Sequence, residues 1–302
     1  MHRITLPNQH TLSPIACGVW RWADTADTGV DTALARIDAC LNQGITTFDH
    51  ADIYGDYRCE ALFGAALRAR PALRQQIEAG ADWIKIYADR GYYRTEDGSF
   101  HSIPNFTVEE IQAIGDETLK SRKKLAAHAM TPDGIIAAIN AGASTIEHGS
   151  GMNEECMRLM AAKGVYWCPT LFVNAYVAEG RAKLGSPINL YFQQSIESTF
   201  KKAMSAGVKL AYGTDIGGYD WKLPQAKDFE YFVQWGLEPI KAIQTATITA
   251  AELLNMKGKI GEITPGAYAD IIALKEDPIK NIKALQNINW VMKEGVVYKE
   301  VK

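Results

Sequence analysis

Short runs of apolar and β-branched residues alternate along this chain with longer segments in which apolar residues recur at every third or fourth position. The first pattern is typical of buried strands, and the second of amphipathic helices. Their alternation predicts βα units around a parallel sheet. Strand-like runs lie at seven places, near residues 15, 46, 83, 126, 145, 166 and 210. We therefore predict an α/β fold of the TIM-type (βα)8-like barrel class, in which seven parallel strands are recognisable and an eighth is not.

Both ends of the chain show a different, β-like pattern. The N-terminal stretch RITLPNQHTLSP predicts a hairpin, and the segment from Lys257 alternates short strands with turn residues. We therefore place the barrel at 1–256 and a small β appendage at 257–302.

Local signals within the barrel predict its individual elements. Thr107 and Glu110 have the spacing of a capping box, which predicts a helix start. The polar segment 89–105 is typical of an active-site loop or lid. The pattern also predicts a strand at 13–22, a helix at 59–80 with a break at Pro71, a long helical stretch that ends at Gly207, and a helical pair at 226–256.

Composition excludes several classes of function. The formal net charge is −3, and the one dense basic cluster, KSRKK at 120–124, is typical of a solvated helix end, so we expect no nucleic-acid partner. No apolar run approaches the ~20 residues that span a bilayer, and the first ten residues lack the apolar core of a signal peptide. The five cysteines form no C-x-x-C pair. We expect a cytoplasmic protein with reduced thiols and no membrane association.

The first quarter of the chain carries the motifs GVWRW and GITTFDHADIYGDYRCEALFGAALR. Through them, residues 1 to about 78 resemble the first two βα units of the aldo-keto reductase family. The resemblance implies that Asp49 is the catalytic aspartate and Tyr54 the proton donor of that family. The lysine, the histidine and the cofactor-binding half that the family also needs have no match here. Asp49 and Tyr54 are therefore interpreted as relics of a reductase site, and no NADP is expected.

The remaining three quarters carry a second set of motifs, in order AGADWIKIYA, LAAHA, AGASTIEHG, GVYWCPTL, LAYGTD and GKIGEITPGAYADIIAL. Through them, residues from about 79 to 302 resemble the metal-dependent amidohydrolase superfamily, in its imidazolonepropionase and Xaa-Pro dipeptidase-like branch. The resemblance implies a carboxylated lysine at Lys85, metal ligands at His128 and His148, and a metal-binding aspartate at Asp215 that acts as general base. It also implies that 257–302 is a remnant of that superfamily's β sandwich.

The amidohydrolase set is incomplete in this sequence. The family's His-x-His pattern from the first barrel strand occurs nowhere, so at most one metal position remains, and zinc suits its ligands. Lys85 has an alternative role, since a buried lysine without a metal could pair with Asp215 or Asp49. Of the other histidines, His2 and His10 are expected to be solvated, His50 to point out of the barrel, and His101 to lie in the polar loop, where a substrate contact is one reading.

We interpret the sequence as a designed or recombined chimera of two barrels, joined near residue 79, with both catalytic sets incomplete and no efficient catalysis expected. The alternative is a working hydrolase of C–N bonds with a single zinc. A third reading is residual reductase activity, and a binding module is a fourth. No specific partner is predicted, but open barrel edges or the β tail could support a homodimer.

Overall fold

A computed structural model describes most of the chain from residue 82 onward and shorter pieces before it. The described residues are 4–5, 11–12, 16–23, 29–43, 45, 47–49, 51, 54, 58–59, 63, 82–120 and 122–301. The chain divides into two compact units: the first comprises Met1–Tyr87 with Ala113–Ala127, and the second comprises Ala88–Gln112 with His128–Lys302. The predicted helix at 59–80 and the predicted junction near 79 lie almost wholly outside the described residues. The domain limits at 79 and 257 stay predictions.

Strands and helices alternate through the middle of the chain. The strands are β1 Ile4–Thr5, β2 Thr11–Leu12, β3 Ala16–Gly18, β4 Thr47–Asp49, β5 Trp83–Tyr87, β6 Asp89–Arg94, β7 Phe100–Pro104, β8 Lys124–Ala129, β9 Ala143–His148, β10 Tyr166–Cys168, β11 Lys209–Leu210, β12 Ile271–Ala273, β13 Trp290–Lys293 and β14 Val296–Glu300. The helices are α1 Val30–Asn42, α2 Val108–Lys120, α3 Pro132–Asn140, α4 Glu154–Lys163, α5 Leu171–Lys183, α6 Ile188–Ser205, α7 Asp228–Gln234, α8 Pro239–Thr245 and α9 Ile248–Leu253.

Seven of these strands lie where the sequence predicts parallel strands. Strands β3 and β4 form a parallel pair, and five others form a sheet in the order β11-β10-β9-β8-β5. Strands β9, β10 and β11 run parallel within that sheet, and Tyr166 of β10 is opposite Thr145 of β9 and Lys209 of β11. The predicted α/β, TIM-like fold class is confirmed, and an eighth parallel strand is absent from the described residues.

The segment 89–105 was expected to be a loop, and this expectation is wrong. It forms an antiparallel hairpin of β6 and β7 in which Arg90 is opposite Ile103 and Arg94 is opposite Phe100. The turn is closed by the amide of Gly98, which donates to the carbonyl of Thr95 at 2.9 Å, and Gly98 has φ +89°, a conformation that favours glycine. Aromatic residues flanking an Asp-Gly turn stabilise such a hairpin. The polar side chains of its strands lack the apolar alternation from which strands are predicted.

Three element boundaries also differ from the prediction. Of the strand predicted at 13–22, residues 13–15 lie outside the described part, and among 16–22 only β3 is a strand, because the amide of Trp22 donates to the carbonyl of Val19 in a turn. The helical stretch to Gly207 is two helices, α5 and α6, separated where Gly185 has φ +87° and Pro187 follows. The helical pair at 226–256 is three short helices.

Each unit has its own core. In the first unit, Ala33 and Ile37 of α1 are buried with Trp22 and Phe63, whose rings lie 5.8 Å apart. In the second unit, the largest fully buried side chains are aromatic: Trp167, Phe192, Phe200 and Phe232. Each such side chain contributes roughly 1.5–3 kcal/mol of hydrophobic stabilisation. Ala129 at the end of β8 and Ile146 near the end of β9 are buried in the same unit.

The two β-like ends of the chain form as predicted. Strands β1 and β2 pair in an antiparallel manner, with Ile4 opposite Leu12. Strands β12, β13 and β14 form a three-stranded antiparallel sheet, and every residue of β14 is exposed. The predicted homodimer through this tail stays a prediction. Of the helices that the structure describes, none has the length and apolar character that a membrane crossing requires.

The capping box that the sequence predicts is present. The backbone amide of Glu110 donates to the hydroxyl of Thr107 at 3.2 Å, and the carboxylate of Glu110 accepts from the amide of Thr107 at 2.8 Å. Thr107→Ala should lower the free energy of unfolding by about 1 kcal/mol, because it orphans an N-terminal amide of α2. Urea titrations followed by circular dichroism would measure this change. Thr107→Ser, which keeps the hydroxyl, should stay within a few tenths of wild type, and equal losses in both variants would contradict the capping role.

Candidate active site

Two predicted metal ligands meet at the carboxyl ends of neighbouring strands. His128 lies near the end of β8, and His148 is the last residue of β9. Their imidazole rings are 4.5 Å apart between centroids and are tilted by 64° in an edge-to-face contact. Barrel enzymes place their catalytic residues at such strand ends.

His148 is held by its side chain and by its backbone. Its Nδ1 lies 2.6 Å from the hydroxyl of Thr170, two residues beyond β10. Its carbonyl accepts a hydrogen bond from the indole Nε1 of the fully buried Trp167 at 2.7 Å. An oxygen partner at Nδ1 fixes the orientation of the imidazole, as the outer partners of metal-binding histidines do.

Three residues at or beyond the ends of successive strands have left-handed backbones. His148 has φ +70°, Thr170 has φ +46° and Asp215 has φ +50°. Asp215 starts the short 3-10 helix Ile216–Gly218, and its carbonyl accepts from the amide of Gly218 at 2.9 Å. Residues other than glycine rarely adopt this conformation, which costs about 1–3 kcal/mol, and such strain collects at functional sites.

The hairpin contributes Tyr92 to the same site. The hydroxyl of Tyr92 lies 2.7 Å from Nε2 of His128 and donates to the carbonyl of Asp89 at 2.8 Å. The Tyr92 ring also makes an edge contact with Phe192 at 6.3 Å. The hairpin is therefore linked directly to one of the two histidines.

Asp89 is fully buried and connects the hairpin to the start of α3. Its carboxylate accepts from the backbone amides of Met130 and Thr131 at 3.1 Å, and from the hydroxyl of Ser102 at 2.9 Å. Gly134 permits this approach, since a Cβ there would lie 2.5 Å from Oδ2 of Asp89. Burial raises the pKa of Asp89 to about 6, although the hydrogen bonds from Met130, Ser102 and Thr131 act to lower it.

A second buried carboxylate, Asp228, is the first residue of α7 and contacts the start of α5. It accepts from the amide of Phe172 at 2.6 Å, while its Oδ2 has no hydrogen-bond partner in the described part of the chain. Burial raises the pKa of Asp228 to about 7. Burial also raises the pKa of Tyr219, and the nearby charges of Asp228 and Asp215 raise it further. Asp228 and Asp215 therefore contribute to one electrostatic environment.

The two reductase-type residues form a pair in the first unit. The hydroxyl of Tyr54 donates to Oδ2 of Asp49 at 2.9 Å, and Trp20 stacks on the Tyr54 ring at 6.1 Å. Lys85 lies half-buried on β5. The catalytic role of Asp49 and Tyr54, and the carboxylation or ion pairing of Lys85, stay predictions.

The remaining histidines divide between described and undescribed residues. His101 lies on β7, stacks on Tyr93 at 5.6 Å, and has its Nδ1 3.2 Å from the carboxylate of Asp133. Its suggested contact with substrate stays a prediction. His2, His10 and His50 lie outside the described residues.

The side chains that meet here fit a divalent metal in their chemistry, because imidazole nitrogen suits zinc. They do not amount to a full ligand set. Within the described ranges, no group of three or more histidine, cysteine, aspartate or glutamate side chains is close enough to hold a metal. Asp215 is therefore not joined to His128 and His148 as a third ligand here, and the metal assignment of Lys85, His128, His148 and Asp215 stays a prediction.

Four residues of this region have no role that the sequence motifs predict: Asp89, Tyr92, Thr170 and Asp228. A usable signal existed for two of them. Asp89 comes two residues after the apolar strand β5, and Thr170 comes two residues after β10, so both follow strand ends. Tyr92 and Asp228 carry no such signal, because their partners are 36 and 56 residues away in sequence.

A family model described as "Amidohydrolase family" matches residues 6–298. Ochratoxinase from Aspergillus niger is 32% identical over 246 residues, which cover 76% of this chain and 49% of that protein. A crystal structure of a Xaa-Pro dipeptidase with methionine bound in its active site is 37% identical, has a TM-score of 0.65, and is matched over 76% of this chain and 57% of that one. The chain matches these curated relatives over most of its own residues, and it spans about half of their length.

A short N-terminal segment matches a different class of protein. The 6-dehydroglucose reductase of Agrobacterium fabrum is 53% identical over 78 residues, which cover 26% of each chain. This match agrees with the predicted resemblance of the N-terminal quarter to oxidoreductases. The family model nevertheless spans nearly the whole sequence. The chain belongs to the amidohydrolase family.

Proposed function

We propose that this protein hydrolyses C–N bonds in amides or peptides with a single divalent metal, for which zinc is the first choice. The observation that carries the proposal is the edge-to-face pair of His128 and His148 at adjacent strand ends. Family membership supports hydrolysis, and the dipeptidase among the similar structures supports a small peptide or N-acyl amino acid as substrate.

In this proposal His128 and His148 hold the metal and Asp215 acts as the general base, while the metal role of Lys85 stays a prediction. When bound, a divalent metal lowers the pKa of water and so supplies a nucleophile at neutral pH. Thr170 orients the imidazole of His148 through Nδ1. The Asp215 carboxylate takes the proton of the attacking water as the C–O bond forms, and then delivers it to the leaving nitrogen as the C–N bond breaks. The fixed, strained backbone of Asp215 aims that carboxylate.

The test is turnover of dipeptides and N-acyl amino acids by protein loaded with zinc. Asp215→Asn, which tolerates a left-handed backbone, should keep zinc but lose about 100-fold in kcat, because a general base contributes at least that factor. His148→Asn should lose zinc and turnover together. Asp220→Asn, in a nearby exposed turn, is the matched control and should retain both. Turnover that persists at wild-type rates in Asp215→Asn and His148→Asn would refute the proposal.

A second candidate is a recombined barrel without efficient turnover. It is favoured by the contrast in identity between the 78-residue match to a reductase, at 53%, and the 246-residue match to ochratoxinase, at 32%. Under this reading the protein folds and releases no product from any member of the same substrate panel, and all variants behave alike. Tryptophan fluorescence quenching by NADPH would instead revive the reductase reading.

A further inference from the structure

We propose that Cys17 and Cys40 are an oxidation site in the first unit, where a peroxide converts the two thiols into a disulfide that small thiols reduce again. The proposal does not rest on the proposed function, because neither cysteine belongs to the candidate active site. It follows from the placement of these two sulfurs and from the burial of the other three cysteines.

Strand β3 and helix α1 bring the two side chains to one place. Cys17 is the middle residue of β3, and its side chain packs against the buried cluster that contains Ala33 and Ile37 of α1. Cys40 lies three residues after Ile37, so both are on the same face of the helix. Leu41, the next residue, packs on the same cluster. The face of α1 that carries Cys40 is therefore the face that meets β3.

The two thiols are in contact and are unoxidised. The side chain of Cys17 forms a hydrogen bond with that of Cys40, and both are free cysteines. The backbone at Cys40 is also held, because its carbonyl accepts from the amide of Gln43 at 3.1 Å and from that of Ile45 at 2.9 Å. The contact between the sulfurs therefore lies between an ordered strand and a closed helix end.

Exposure distinguishes this pair from the other cysteines. All five cysteines of the chain are described by the structure, and Cys17 and Cys40 are partly exposed, whereas Cys59, Cys156 and Cys168 are buried. A buried thiol in apolar surroundings is inert, since oxidation needs access to the sulfur. This pair combines access for an oxidant with a second sulfur close enough to complete a disulfide.

The chemistry assigns a different role to each sulfur. Burial and the hydrogen bond with Cys40 raise the pKa of Cys17 to about 12, so Cys17 keeps its proton at neutral pH. Because the thiolate is the nucleophile, Cys40 is the sulfur that attacks the peroxide. The O–O bond breaks, and Cys40 becomes a sulfenic acid as the first water leaves.

The second step joins the two residues. The sulfur of Cys17 attacks the sulfur of Cys40, the S–O bond breaks, and the proton of Cys17 leaves with the oxygen as a second water. Two thiols have then lost two electrons and two protons, and one peroxide has become two waters. The disulfide closes a loop over residues 18–39, within the first unit.

The experiment treats the reduced, desalted full chain with hydrogen peroxide, blocks the remaining thiols with N-ethylmaleimide, and maps unreduced peptides by mass spectrometry. A peptide that links Cys17 to Cys40 is expected, lighter than its two parts by two hydrogen atoms. Thiol titration in denaturant should fall from five to three, because one disulfide consumes two. The link should form at least about tenfold faster in the folded chain than in urea, since folding holds the sulfurs together.

Three variants test the order of the steps. Cys17→Ser should leave Cys40 as a sulfenic acid, which dimedone traps, because its partner sulfur is gone. Cys40→Ser should leave Cys17 unmodified. Cys156→Ala, at a buried position in the second unit, is the matched control and should form the same disulfide at the wild-type rate.

Several results would overturn the proposal. These are a linked peptide from any other pair of cysteines, disulfides between chains in place of the internal one, and equal rates in the folded chain and in urea. Dithiothreitol should restore all five thiols, and a sulfinic acid at Cys40 that it does not reverse would also count against the site. The assay uses neither metal nor substrate, so its outcome is separate from that of the proposed function.

Discussion

Asp89→Ala should lower the free energy of unfolding by about 3–5 kcal/mol, because it leaves two buried backbone amides without an acceptor, at about 1–3 kcal/mol each, and adds a cavity. The amides are those of Met130 and Thr131, which both donate to the Asp89 carboxylate. The hydroxyl of Ser102 loses the same partner. Urea titrations followed by circular dichroism and by tryptophan fluorescence would measure the loss.

The same carboxylate should make stability depend on pH. The pKa of Asp89 is raised from 3.8 to about 6 in the folded protein, so the folded state binds the proton more tightly than the unfolded chain. The free energy of unfolding therefore falls as pH rises from about 4 to about 6, by up to about 1.4 kcal/mol per pH unit. Asp228, whose pKa is raised to about 7, extends the fall toward neutral pH.

Asp89→Asn separates the two effects. Its amide oxygen can still accept from Met130 or Thr131 and its amide group can donate to a hydroxyl, so it should be less destabilised than Asp89→Ala at pH 8. Having no proton to exchange, it should also show a shallower decline between pH 4 and pH 6 than wild type. An Asp89→Asn protein with the wild-type pH slope would show that the slope arises from other groups.

Trp167→Ala is expected to cost about 3–5 kcal/mol, the range for removing a large buried aromatic side chain. Trp167 is fully buried on β10, and its ring packs on Phe200 at 6.1 Å. Its indole also donates to the carbonyl of His148. The variant should therefore lose both core packing and the support of the strained backbone at His148. Thermal unfolding by calorimetry, together with amide exchange at His148 and Gly149, would record both losses.

Trp167→Phe and Trp221→Ala are the comparisons for this prediction. The phenyl ring of the first restores much of the packing but no donor, so it should show an intermediate stability with rapid exchange at the end of β9. Trp221 is 69% exposed, and its replacement should stay within about 0.5 kcal/mol of wild type. If Trp167→Ala matched Trp221→Ala in stability, the packing described for β10 would be wrong.

Elements with strong local signals could be predicted from the sequence. The seven parallel strands, the capping box at Thr107 and the two terminal β segments each depend on residues close together in the chain. The hairpin at 89–105 could not be predicted, because its strands are polar and the period-two pattern of buried residues is missing there. The break between α5 and α6 was missed although Gly185 and Pro187 mark it.

Only the site residues that lie within family motifs could be predicted from the sequence. His128 and His148 were identified through family motifs, and their contact follows from adjacent parallel strands. Their partners were not identified, because the hydrogen bonds from Tyr92 and Thr170 join residues 36 and 22 positions apart. No periodicity reports such contacts, which depend on how the hairpin and the strand ends pack in three dimensions.

The left-handed backbones of His148, Thr170 and Asp215 have a consequence for selection in the laboratory. Each costs on the order of 1–3 kcal/mol, so together they are a sizeable fraction of a typical folding free energy. A screen that rewards heat resistance alone would favour glycine or asparagine at these strand ends. Such a screen would enrich more stable proteins in which the site has lost its geometry. Selection for stability and selection for turnover would therefore favour different residues at these three positions.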